Sequence, residues 1–109
     1  MSVQEKVLVT GGSGFIGTNL IDYLLDQGSD VCSVDIVEPQ KKNHQAYFHH
    51  IDLLNKENLK EIFLSFSPTA VIHLAARTDI TEHRDIHHYD VNTIGTENII
   101  EAANATKTV

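Results

Sequence analysis

Tryptophan is absent from these 109 residues, cysteine and methionine occur once each, and only two prolines, Pro39 and Pro68, interrupt the chain. The single Cys32 cannot close an internal disulfide. Its apolar setting, Val31-Cys32-Ser33-Val34, reads as a small buried hydrophobe rather than a reactive thiol. Basic residues are scarce as well: 8 against 15 acidic, a net charge of -7, and no basic cluster beyond Lys41-Lys42. That balance speaks against a nucleic-acid or anionic-membrane surface. No apolar run approaches the ~18 residues of a membrane span. The start, Met1-Ser2-Val3-Gln4-Glu5-Lys6, lacks the apolar centre of a signal peptide. The expectation is a cytoplasmic protein whose partners are neither nucleic acid nor membrane.

What remains, 41% hydrophobic and 21% charged, is the composition of a folded globular domain. A chain of this size buries roughly two-thirds of its unfolded surface, enough for a core without disulfides. It is nevertheless shorter than the roughly 150 residues that a complete doubly wound domain takes.

Lys6 to Thr10 (KVLVT) is a short β-branched run closed by glycines and reads as a buried parallel strand. Ile16, Leu20, Ile21, Leu24 and Leu25 then repeat at helical spacing as far as Gln27, with Gly28 at the left-handed stop. A second strand follows from Asp30 to Val34, with Asp35 at its carboxyl end, and a polar loop from Glu38 to Gln45. A third strand fits Ala46 to Ile51. Leu59, Ile62, Phe63 and Phe66 mark a second helix, capped by Asn55. Ala70 to Leu74 is a fourth strand, and a long helix runs from about Asp85 to Ala105. This alternation predicts parallel strands joined by right-handed crossovers, in the order 3-2-1-4, with helices on both faces.

The glycine-rich turn Thr10-Gly11-Gly12-Ser13-Gly14-Phe15-Ile16-Gly17 stands between the first strand and the first helix. A tight turn needs a residue without Cβ, which Gly11 or Gly12 supplies. Gly14 lets a pyrophosphate approach the backbone, and Gly17 lets the helix pack against the strand. The free N–H groups of the helix start then face the phosphates. A nucleoside-triphosphate P-loop shares the spacing of Gly12 and Gly17, but Thr18 stands where that motif requires lysine. Asp35, 18 residues beyond Gly17, is placed to accept both hydroxyls of an adenosine ribose. Its charge repels a 2′-phosphate and no arginine follows nearby, so NAD is favoured over NADP.

On these residues the chain resembles the extended short-chain dehydrogenase/reductase family, in its NAD-dependent epimerase/dehydratase branch. The resemblance rests on the turn from Thr10 to Gly17, Asp35, Asp52-Leu53, His73-Leu74-Ala75-Ala76 and Asn92-x-x-Gly95-Thr96-x-Asn98, in that order along nearly the whole chain. It implies a Rossmann-type three-layer α/β sandwich, here a partial cofactor domain ending after four parallel strands, without the substrate domain. It also implies roles. Gly11, Gly14, Phe15, Ile16 and Gly17 would line the phosphates, and Asp35 the ribose. Asp52 would meet the adenine amine, and the backbone beside Leu53 a ring nitrogen. Leu74, Ala75 and Ala76 would run beside the second ribose, and Asn92 would steady the start of the long helix. His73 reads as a bonded core histidine rather than a catalytic one.

His83 and His87 are four residues apart, but no Cys or Glu-x-x-His context supports a metal site, and His49 and His50 alternate across a strand. The family's chemistry depends on a Tyr-x-x-x-Lys pair. Here Tyr23, Tyr47 and Tyr89 are followed four positions on by Gln27, Ile51 and Thr93. No catalytic residue is therefore assigned. The expectation is the NAD-binding half of a nucleotide-sugar epimerase or dehydratase, such as a UDP-sugar 4-epimerase, which binds the cofactor without turnover. Two alternatives stay open: a stand-alone dinucleotide-binding module, and part of a steroid- or flavonoid-type carbonyl reductase of the same family. The fourth strand, left as an apolar edge, predicts a homo-oligomer.

Overall fold

The computed structural model describes residues 5–75 and 90–105. Four strands form one parallel sheet: β1 (Lys6–Thr10), β2 (Asp30–Asp35), β3 (Phe48–His50) and β4 (Ala70–His73), in the order β3-β2-β1-β4. Three helices accompany them: α1 (Phe15–Asp26), α2 (Lys56–Phe66) and α3 (Asp90–Ala105).

Side chains alternate across β1 and β2, and each set has its own cover. Val7, Val9 and Val31 pack with Ile21 of α1. Leu8, Cys32 and Val34 pack on the opposite face with Leu59 and Phe63 of α2 and Ile99 and Ala102 of α3. Burial on both faces is what the unbroken apolar reading of these strands requires. The sheet is therefore sandwiched between two helical layers, as expected.

Helix ends follow local chemistry. Asn55 caps α2, its side-chain oxygen accepting the Asn58 N–H at 3.1 Å. After α1, Gly28 adopts φ +81°, its N–H donates to the Leu25 carbonyl, and Ser29 N–H donates to Leu24. That pair of bonds is a Schellman closure, which sends the chain back into β2.

Two elements differ from expectation. The segment expected to be a loop, Glu38 to Gln45, contains most of a 3-10 turn at Lys42–Tyr47, and β3 is correspondingly shorter than Ala46 to Ile51. The cause is tertiary. His44 is fully buried and its Nε2 bonds Asp22 Oδ1 of α1 at 2.8 Å, while Lys41 pairs with the other carboxylate oxygen. Drawing His44 onto α1 coils the residues that would otherwise extend β3. The expected start of the last helix near Asp85 lies outside the described residues.

Candidate functional site

Parallel strands all point their carboxyl ends the same way, and the crevice beyond them is where such sheets carry function. Here those ends bring together the glycine turn after β1, Asp35 closing β2, Asp52-Leu53 after β3 and Leu74-Ala75 after β4. Backbone bonds set the spacing. Gly11 N–H donates to Val34, Leu74 N–H to Thr10, and Ile51 N–H to Asp35.

The glycines divide by what surrounds them. Gly11, at φ +73°, has the Ala75 backbone nitrogen 2.8 Å from where a Cβ would stand. A Cβ on Gly12 would collide with Ser33 Oγ at 2.0 Å. One on Gly17 would lie 2.3 Å from the Gly11 carbonyl oxygen. Gly17 thus packs the helix against the turn itself, where the sequence suggested the strand. Gly14 is different: its Cβ position meets only the Gly11 oxygen, at an ordinary 3.5 Å. It stands at the start of α1 with no side-chain cap, and Phe15 and Ile16 beside it are exposed. Folding demands three of these four glycines. It does not demand Gly14.

Asp35 is held by three backbone N–H groups. Ser13 donates to Oδ2 at 3.1 Å, and Ile36 and Val37 donate to Oδ1 at 2.7 and 3.1 Å. The Ser13 bond fastens the carboxylate directly to the glycine turn. Ser13 Oγ is buried and has no partner among the described residues. Buried hydroxyls are normally hydrogen-bonded, so this one is an exception beside the turn.

Asp52 is exposed, with Oδ1 accepting the Leu54 N–H at 2.9 Å. The Leu53 side chain is buried in the core, so only its backbone can face a ligand. Its carbonyl accepts Asn98 Nδ2 at 2.8 Å. At the β4 end, Thr10 Oγ1 accepts the N–H groups of Leu74 and Ala75 at 3.1 and 3.2 Å and contacts His73 Nδ1. His73 Nε2 lies 3.0 Å from Thr96 Oγ1 of α3. His73 is therefore tied into the fold on both ring nitrogens, and burial lowers its pKa. Ala76 and the side chain of Asn92 lie outside the described residues, as do His83 and His87.

Sequence reasoning placed Asp35 and Asp52 but missed their restraints. Ser13, Asn98 and Thr10 act through bonds to residues 22, 45 and 63 positions away. The visible signal was the Gly95-Thr96-x-Asn98 phrase, one of the motifs that carry the resemblance, which marked Asn98 without its partner.

No group of three or more metal-ligating side chains occurs among the described residues, and no described helix is long and apolar enough to cross a membrane.

A parallel sheet in this order, covered on both faces and opening through a glycine turn at its carboxyl edge, defines a Rossmann-type α/β protein. The family model for the NAD dependent epimerase/dehydratase family matches residues 7–109, and the chain belongs to that family. It is 30% identical to UDP-glucose 4-epimerase of Mycoplasma genitalium over 94% of this chain and 33% of that protein. It is 38% identical to GDP-6-deoxy-D-talose 4-dehydrogenase of Aggregatibacter actinomycetemcomitans, over 89% of this chain and 30% of that protein. The crystal structure of Thermus thermophilus UDP-glucose 4-epimerase in complex with NAD superimposes with a TM-score of 0.84 at 33% identity, covering 94% of this chain and 35% of that one. The chain spans about a third of the length of the curated relatives it matches.

Proposed function

We propose that this chain is the NAD-binding part of a nucleotide-sugar epimerase or dehydratase and grips the cofactor by its adenosine and pyrophosphate. The observation that carries this reading is at Gly14. The turn leaves that one Cβ position open at an uncapped helix start, while the neighbouring Ser13 N–H anchors Asp35.

The first N–H groups of α1, at Phe15, Ile16 and Gly17, converge with the positive end of the helix and suit a pyrophosphate. Gly11 keeps the Ala75 backbone close, closing the far wall. Asp35 accepts the adenosine ribose hydroxyls, which favours NAD over NADP. Asp52 accepts the adenine amine and the backbone at Leu53 meets a ring nitrogen. Leu74 and Ala75 flank the second ribose. When bound, the nicotinamide supplies reversible hydride acceptance. The residues of this chain bind and orient it.

Tyr-x-x-x-Lys does not occur in the 109 residues, so the proton-transferring groups and the substrate domain belong outside them. Nucleotide sugars are the proposed substrate class, in line with the names of the matched relatives. Among the described residues β4 pairs only with β1, and that open edge supports self-association. The acidic, cysteine-poor composition supports a cytoplasmic location.

Calorimetric titration of the chain with NAD and with ADP-ribose tests the reading. Saturable binding of both, weakened at least tenfold by Asp35→Ala, is expected from the loss of a charged acceptor, worth roughly 1.5–3 kcal/mol. No binding of ADP-ribose at millimolar concentration would sink it.

A further inference from the structure

We infer that Asn98 and Gly95, one turn apart on α3, are positioning residues for the adenine end of this site and act on Asp52 through a single peptide unit. The inference rests on the cofactor reading above.

The unit is the peptide joining Leu53 to Leu54. Its carbonyl accepts Asn98 Nδ2 at 2.8 Å, and its N–H donates to Asp52 Oδ1 at 2.9 Å. A carbonyl can only accept, so the amide nitrogen of Asn98 must be the end that faces it. The result is one aligned run of donors: Asn98 into the peptide, and the peptide into the carboxylate. Bonds in such a run polarise each other. Asp52 Oδ1 is thereby occupied, while Oδ2 has no partner among the described residues. The rotation of an otherwise exposed carboxylate is set from a helix 45 residues away.

Asn98 is only 8% exposed, beside Ile99 and Ala102 of the core. An apolar residue would pack there at less cost, but it would strand the Leu53 carbonyl without a donor. Gly95 acts on the same residue sterically: a Cβ there would stand 3.1 Å from Leu53 Cβ, so any side chain displaces Leu53 by a few tenths of an ångström. Thr96, between them, bonds His73 at the end of β4. The phrase Gly95-Thr96-x-Asn98 thus fastens α3 at two places, and two of its three residues converge on the loop that presents Asp52.

An adenine amine donates to a carboxylate well only in line with it, and hydrogen bonds weaken steeply off axis. The test compares the affinity of the full chain for NAD and for its hypoxanthine analogue, which has an oxygen where adenine has the amine. Wild type is expected to prefer NAD by roughly tenfold, the low end for a bond to a charged acceptor. Asn98→Ala is expected to shrink that preference to about twofold. A helix-packing role alone weakens both ligands equally and leaves the ratio intact, which overturns the inference. Gly95→Ala removes no hydrogen bond and should compress the ratio in the same direction. It decides the matter if circular dichroism shows Asn98→Ala unfolded, and an unchanged ratio there again overturns the inference. If wild type binds neither ligand, the cofactor reading fails instead. If wild type binds both alike, Asp52 is not the adenine contact and the inference falls with it.

Discussion

Thr10 Oγ1, at the end of β1, lies 2.5 Å from His73 Nδ1, at the end of the neighbouring β4. The hydroxyl already accepts two N–H groups, from Leu74 and Ala75, so its lone pairs are used and its own proton must go to Nδ1. His73 is then neutral, carries its proton on Nε2, and donates to Thr96. One tautomer follows from counting donors and acceptors.

Protonating Nδ1 would set two donors against each other, and burial already lowers the His73 pKa below its ordinary 6.5. A depressed histidine binds its proton more readily unfolded than folded. Stability is therefore complete above the unfolded pKa and declines as pH falls below about 6.5, until the folded pKa is passed. The Tm of wild type should drop more steeply than that of His73→Asn between neutral pH and pH ~5. Parallel curves would show that His73 titrates as it does in the unfolded chain.

Gly17→Ala and Gly14→Ala should part company. The first forces a Cβ to 2.3 Å from the Gly11 oxygen and should cost about 3 kcal/mol or more, read as a fall in the denaturation midpoint. The second meets nothing closer than 3.5 Å and should cost roughly 1 kcal/mol, as for other helix caps. Yet Gly14→Ala should be the variant that folds and loses ADP-ribose. Equal affinity in Gly14→Ala and wild type would remove Gly14 from the site.

Asp22 holds Lys41 and His44 together, and in that order they keep its carboxyl below the usual 3.8. An aspartate so depressed contributes stability above its unfolded pKa and loses it as pH falls through the folded one. Asp22→Ala strips the only bond of a fully buried imidazole among the described residues, whereas Lys41→Ala removes one partner of an exposed ion pair. Thermal melts should show a clear loss for the first and next to none for the second.

Cys32 is 1% exposed, and burial pushes its thiol up to about 12. Attack requires thiolate, so a disulfide reagent at pH 8 should modify the native chain only as fast as it opens. The same reagent in concentrated urea should react at once. Rapid native labelling would contradict the packing of β2 against α2.

Where an element announces itself locally, its position was legible. The KVLVT run ended by glycine marked β1 residue for residue, and Asn55 marked the start of α2. The strand order followed from alternation and handedness alone. Ala46 and Tyr47 look like strand residues and enter a 3-10 turn because His44 docks on Asp22, a contact 22 positions long that no local preference contains. The site divides in the same way. Asp35 is visible from its distance to the glycines, but the bond that locks it to Ser13, and the reach of Asn98 to the Leu53 carbonyl, exist only once the sheet has closed.

The three N–H groups that converge on Asp35 have a consequence for altering cofactor choice. Shortening that side chain to serine would do more than remove a repulsion. It would strip the acceptor from backbone donors at Ser13, Ile36 and Val37, leaving a small ring of positive polarity at the carboxyl end of β2. A 2′-phosphate is an anion of the right kind to fill it. The backbone that now restrains a carboxylate would then offer its donors to the group which, on the proposed reading, that carboxylate repels.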